Sequence, residues 1–464
     1  MATKMILLNL LTIPLLYFFL RKRKAIAATK LPPQPPGLPL LGNLHQLGSF
    51  PHRSLNSLSK QYGPIILLRL GIVAPTVVIS TAELAEQVMK TQDLIFANRP
   101  PSSMANHLFY NSTDIAFSPY NDYWRMMKKI SIVHLLSNRR VQSYKRLRQE
   151  EMDLLIAEIH AASAAAEAVN LSKRLRVLTN DIICRVALGR KYSGETRFQE
   201  MLDEFRKLLG SFPMADFFPW LGWVDRVIGL EGRARRASKE LDELLERVLE
   251  EHLSRKKSSN AIGSSKECMD LVDVLLSVKE EHDSNDDADI ALGKEHIKAL
   301  ILEMFAAGTD TTFTTLEWGM AELIKHPTVM QKVQREIRDT LRSKQVIEQE
   351  DIDRLTYLKA TIKETLRLHV PVALLIPRLT MEDTQLQGYD IPAGARIIIN
   401  AWGIARDPNY WNRPEEFWPD RFLNSNVDFR GQQFQLTPFG AGRRACPGID
   451  FGIAVIECTL VNLL

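Results

Sequence analysis

The stretch Pro438-Phe439-Gly440-Ala441-Gly442-Arg443-Arg444-Ala445-Cys446-Pro447-Gly448 decides how this chain is read. It sets one cysteine in a glycine-rich turn beside two arginines, directly before the apolar run Ile449–Leu464. A thiol ligates a metal as its anion, and nearby positive charge or a metal lowers its pKa. Gly440, Gly442 and Gly448 would let the backbone approach a flat ligand closely and take conformations that a Cβ forbids. The plain reading of a lone cysteine is an inert core filler. Taken alone, a cysteine after a Gly/Arg loop is more often such a filler than a metal ligand.

The spacing Phe439-x-x-Gly442-x-Arg444-x-Cys446-x-Gly448 resembles the haem-ligand loop of the cytochrome P450 family. The wording of Pro36–His45, Asp114–Tyr120 and Phe218–Trp223 resembles plant A-type microsomal members, and the resemblance runs over essentially the whole chain. It implies haem b on Cys446, with Phe439, Gly442, Arg444 and Gly448 around it. Thiolate ligation of haem iron favours cleavage of the O–O bond.

The body of the chain is ordinary for a globular protein, with 45% hydrophobic and 25% charged residues in 464. Residues 1–30 hold Lys4, Arg21, Lys22, Arg23, Lys24 and Lys30 and no acid, so they carry +6 and the remainder −2. A near-neutral body is not a polyanion binder, and nucleic acid is not an expected partner. Four cysteines without a CxxC pair fit a reducing compartment.

Met5–Leu20 is a short apolar run, followed at once by Arg21–Lys24. A cleaved signal peptide is the rival reading, but the basic cluster after the run keeps that side in the cytosol. Residues 1–24 are therefore expected to anchor the chain in a membrane with the body in the cytosol, and the resemblance to microsomal members implies the endoplasmic reticulum. Residues 25–40 form a Pro-rich hinge, stiff because proline fixes φ, and 41–464 a single catalytic domain. No linker divides the body after residue 40.

Helical periodicity dominates from residue 122, with Tyr144–Ile159, Leu171–Leu188, Lys239–Leu253 and Lys294–Lys325 as examples. Ser254–Ser265 and Glu280–Asp289 read as polar loops. Ile65–Leu70, Pro75–Ser80 and Ala395–Asn400 read as short strands. The class is mainly α with a small β portion, and the resemblance makes it a cytochrome P450 fold behind an N-terminal anchor.

Within Lys294–Lys325 the middle Ala306–Phe313 is small and polar, and its threonines can bond back to a carbonyl one turn earlier. Ala307 and Thr311 share a face. A capped break in a buried helix would look the same. The segment resembles the family's oxygen-activation motif at Ala307–Thr312. That implies room for dioxygen at Ala307 and Gly308, a hydrogen bond from Thr311, and a proton relay through Asp310.

Glu364 and Arg367 stand three apart on one face among apolar neighbours. With Arg421 they match the family's Glu–Arg–Arg triad, a structural support for the cysteine loop. Asp420 stands where the family usually has Glu. Haem propionates need cations, and the candidates are Arg125 beside Trp124, Lys128, Arg378 and Arg444. Lys128 replaces the usual arginine, keeping the charge without the fork. Lys128, Lys129 and Arg443 together would offer a proximal basic patch to an acidic electron donor.

Met104–Phe117, Phe212–Phe218 and Val372–Leu375 are apolar loop segments, suggesting a lipophilic substrate such as a terpenoid or aromatic metabolite. The leading expectation is a monooxygenase fed with electrons from NADPH by NADPH–cytochrome P450 reductase, whose flavins never leave that partner. Family members usually continue past a position such as Leu464 into a β region lining the pocket. The alternative expectation is a truncated chain that binds haem poorly or without turnover, and an anchored scaffold with a chance loop match comes third.

Overall fold

The computed structural model describes residues 30–192, 196–260, 269–283, 292–342, 344 and 347–464. The expected anchor, residues 1–24, lies outside them, as do residues 25–29 of the hinge. Among the described residues no helix is long and apolar enough to cross a membrane.

Eight helices position the site: α1 (Asp122–Ile130), α2 (Lys145–Ala164), α3 (Leu171–Leu188), α4 (Thr196–Leu209), α5 (Leu230–Asn260), α6 (Lys294–Lys325), α7 (Thr356–Leu368) and α8 (Ile449–Leu463). α6 has buried residues on every side, among them Ile297, Leu300, Phe305, Thr312 and Leu316. A helix apolar all round belongs in a core. It runs unbroken through its polar middle, about 48 Å at 1.5 Å per residue. It ends because Pro327 follows His326, whose φ of −119° and ψ of 75° leave the helical region.

α3 lies along α6. Asn170 caps its first turn, Oδ1 accepting from the Lys173 amide at 2.9 Å, and Gly189 closes it in the left-handed conformation at φ +72°. The two helices meet at Gly308, where a Cβ would stand 2.7 Å from Ile183 Cδ1.

The small β portion is a four-stranded sheet of β1 (Ile65–Leu68), β2 (Thr76–Ile79), β3 (Arg378–Leu379) and β6 (Arg396–Ile399), in the order β1-β2-β6-β3. A separate hairpin joins β4 (Thr384–Leu386) and β5 (Tyr389–Ile391) through Gln387 and Gly388, both at positive φ. β2 runs parallel to β6 with Val78 opposite Ile398, and the other pairs are antiparallel. Period-2 alternation divides the strands between two cores: Ile65, Leu67, Val77 and Ile79 face one cluster, and Ile66, Leu68 and Val78 another. Both faces are covered, which is why the strands read as apolar runs.

Three expectations shift. Residues 254–260 continue α5, with Lys256 paired to Glu280 at 2.6 Å, instead of opening a loop. Residues 280–283 likewise finish the helix Leu271–Asp283. The prolines of the hinge lie along β1 and do not stand off as a spacer: Leu67 donates to Pro33 O at 2.9 Å, and Asn43 Nδ2 to Pro35 O at 3.2 Å.

Candidate functional site

The cysteine loop turns on two glycines in the left-handed conformation. Gly440 and Gly442 sit at φ +66° and +68°. A Cβ on Gly442 would come within 1.9 Å of Met89 O. Gly448 differs from expectation: its φ is −91° and a Cβ there would lie an ordinary 3.8 Å from Cys446 Sγ. The loop returns on itself as Cys446 N–H donates to Phe439 O at 2.9 Å, and the Phe439 ring meets Phe429 edge-on. Gly448 N–H points at the Cys446 sulfur from 3.4 Å. Burial pushes the thiol pKa up, while that amide and Lys128 hold it down.

One cavity is lined by Cys446 and its loop, by α6 at Ala307, Gly308 and Thr311, and by the sheet edge at Arg378. The Thr311 hydroxyl donates back to Ala307 O at 2.5 Å, as its position in the helix allows. Asp310 is turned away and does not line the cavity. Its Oδ2 lies 3.2 Å from Arg206 Nε on α4, with burial raising the carboxyl pKa and Arg206 and Arg176 opposing. Gly308 lines the cavity too, but what excludes a side chain there is Ile183 of α3.

Three guanidiniums stand at the cavity edge with no carboxylate within ion-pair distance among the described residues. Arg444 donates to Ala97 O, Ile115 O and Ser118 O at 2.6, 3.0 and 2.7 Å and stacks 4.2 Å over Trp124. Arg378 gives Nη2 to Ala441 O at 2.9 Å, while its buried Nη1 has no partner. Arg99 donates Nε to Ala116 O at 2.7 Å and Nη1 to Ile376 O and Pro377 O. Burial lowers all three pKa values, to about 10 for Arg378 and about 9 for Arg444, and for Arg99 repulsion from the other two adds to it. Lys128 joins them, donating to Ala445 O at 2.5 Å, its pKa brought down to about 8 by burial.

Two expectations about cations fail. Arg125 lies about 100° around α1 from Trp124, exposed and paired with Asp122, and does not line the cavity. The proximal patch shrinks, because Lys128 faces the cavity and Arg443 pairs with Asp93. Sequence reading missed Arg99, Glu303 and Asp114. A lone acid in the apolar run Ile301-Leu302-Glu303-Met304-Phe305 and a lone arginine after Phe96-Ala97 were the available signals.

On α7, Arg367 places Nε and Nη2 on the two oxygens of Glu364 at 2.7 and 2.9 Å. Arg421 Nε reaches the same carboxylate at 3.1 Å. Asp420 faces elsewhere, toward Lys332 and Tyr357 at 2.9 and 3.0 Å.

A thiol, a ring of unpaired cations and an orphaned buried donor suit a flat metal complex that carries carboxylates. The family model for cytochrome P450 matches residues 32–464. The chain belongs to the cytochrome P450 family. It is 49% identical over 427 residues to cytochrome P450 71A1 of Persea americana, covering 91% of this chain and 84% of that one. It is 45% identical to norfluorocurarine oxidase of Strychnos sp over 99% of this chain and 90% of that one. A zebra fish P450 structure with progesterone superposes with a TM-score of 0.73 at 29% identity, covering 89% and 91% of the two chains. As a P450 the chain is a haem b monooxygenase, an oxidoreductase with a mainly helical fold.

Proposed function

We propose that this P450 takes two electrons from NADPH through a membrane-bound NADPH–cytochrome P450 reductase and hydroxylates a lipophilic terpenoid or aromatic plant metabolite. One oxygen atom of dioxygen enters a C–H bond; the other leaves as water with two protons. The observation that carries the reading is the single cavity shared by Cys446, the Ala307–Thr311 turn and three unpaired guanidiniums.

Haem, when bound, supplies the iron centre at which dioxygen is reduced. In this reading Cys446 is its protein ligand, and a metal removes the thiol proton that burial otherwise retains. Arg99, Arg378, Arg444 and Lys128 would hold the propionates, Arg378 Nη1 having no other partner. Trp124 carries Arg444 on its face and fixes its own indole by donating to Ile115 O at 3.0 Å. Ala307 leaves the cavity open beside Thr311. The Thr311 hydroxyl, now bonded to Ala307 O, can turn about χ1 into the cavity and hand on a proton. Asp310 supplies protons from the side of α6 facing Arg206, and a carboxyl with a raised pKa holds its proton closer to neutrality.

The membrane side of the proposal has its own support. Phe212, Trp220, Trp223, Val227 and Ile228 are exposed, as are Leu38, Leu40, Leu41 and Ile72. Ile72 N–H donates to Phe217 O, and Gly71 N–H to Leu41 O, so these segments adjoin. An exposed apolar patch of this kind suits a membrane surface.

Reconstitution with the reductase, NADPH, labelled dioxygen and a panel of terpenoids and aromatics tests this reading. Label in a product formed at the expense of NADPH is expected. A haem-loaded chain whose spectrum shifts with a ligand but which never consumes NADPH would contradict it.

A further inference from the structure

We propose that Glu303 is a positioning residue for the haem edge: from α6 it pins the loop Asp114–Ser118, whose carbonyls hold Arg99 and Arg444 toward the haem carboxylates. The inference deepens the haem-site reading and rests on it.

The loop sorts its peptide groups by direction. Its amides point at acids: Ile115 N–H donates to Glu303 Oε2 at 2.7 Å, and Phe117 N–H to Asp114 Oδ2 at 2.9 Å. Its carbonyls point at cations and at the indole. Ile115 O accepts from Arg444 Nη1 and Trp124 Nε1, Ala116 O from Arg99 Nε, and Ser118 O from Arg444 Nη2. The Ala116–Phe117 peptide unit thus has its positive end on the Asp114 carboxylate and its negative end on the Arg99 guanidinium.

This arrangement answers a physical conflict. Buried cations need nearby negative charge, yet a carboxylate in direct contact would occupy the N–H groups that a haem propionate requires. Setting backbone carbonyls between the acids and the guanidiniums gives the cations negative partial charge and leaves their other donors open. Arg444 keeps one N–H on each terminal nitrogen, and Arg99 gives the loop and its neighbours only Nε and Nη1. Glu303 lies in the cavity wall four residues before Ala307, so its reach to Ile115 ties the loop to the long helix. A carboxylate in such surroundings is costly unless it is hydrogen-bonded, and the loop amides satisfy it. Burial and the neighbouring Asp114 push its pKa up, so the acid can hold a proton on one oxygen while the other accepts from Ile115.

The test compares wild type with E303Q, which keeps an accepting oxygen at the same reach, and with E303L and E303D, which lose the acceptor or withdraw it. Two measurements apply to the full chain: haem transfer from holoprotein to excess apomyoglobin, and amide hydrogen exchange of the 114–118 peptide in the haem-free protein. E303L and E303D should release haem on the order of 10-fold faster or more, and exchange the loop amides faster, with E303Q staying close to wild type. If E303L does not fold, E303D against E303Q still decides. Equal release and exchange in E303D and wild type, or an E303Q as leaky as E303D, overturns the assignment. Wild type that takes up no haem would instead sink the haem-site reading, while the exchange measurement would still report on the loop.

Discussion

Glu364 and Arg367 form a fork pair with neither side chain exposed, two parallel hydrogen bonds of 2.9 and 2.7 Å closed inside α7 and its surroundings. Arg367 spends its other donors on Ala405 O, Pro414 O and Glu416 O, so the pair stitches α7 to the segment that precedes the cysteine loop. Removing one partner strands a buried charge, which costs about 3–5 kcal/mol. Glu364→Ala should therefore lower the thermal midpoint of the apoprotein sharply and yield chain without haem. Normal stability by calorimetry would refute the support role.

Gly442 and Gly448 should respond in opposite ways to the same added methyl. At Gly442 the Cβ collides with Met89 O and the backbone is left-handed, so Gly442→Ala should cost about 2 kcal/mol or more in apoprotein denaturant unfolding. Gly448→Ala should leave apoprotein stability within about 1 kcal/mol, since φ there suits any residue.

Arg378 holds the orphaned donor. Arg378→Met removes a buried cation with no acid partner, so the apoprotein should be no less stable. Haem should leave the variant about 10-fold faster, measured by transfer to apomyoglobin. Arg378→Lys should fall between, because an ammonium cannot present the planar fork.

Glu457 on α8 is buried, and burial pushes its pKa up to about 7, with Lys359 opposing. The folded state keeps a proton that the unfolded chain has already lost. Stability therefore falls as pH rises from the unfolded carboxylate range toward 7, then levels off. The full loss is about 3 kcal/mol. Glu457→Gln should be more stable than wild type at pH 8 and equal to it near pH 4, read from denaturant midpoints.

Much of this was legible in the residues. Lys294–Lys325 and Leu171–Leu188 appear with their expected ends, because Pro327, Asn170 and Gly189 mark those ends chemically. Glu364, Arg367 and Arg421 do converge, since an apolar setting forces charged groups to find each other. What could not be read was direction. Arg125 and Trp124 are adjacent in sequence, yet a helix turns them to different faces, one to solvent and one to the cavity. Asp310 and Thr311 diverge for the same reason. Arg99 and Glu303 act through backbone groups of a distant loop, and no local pattern encodes such a partner.

The central claim is thiolate ligation by Cys446, and the reduced-plus-CO absorption spectrum of the purified, haem-loaded chain tests it most directly. Wild type should show the red-shifted Soret band of thiolate-ligated haem, and Cys446→Ser should lack it. A haem-loaded wild type without that band, or a Cys446→Ser variant that retains it, would contradict the account.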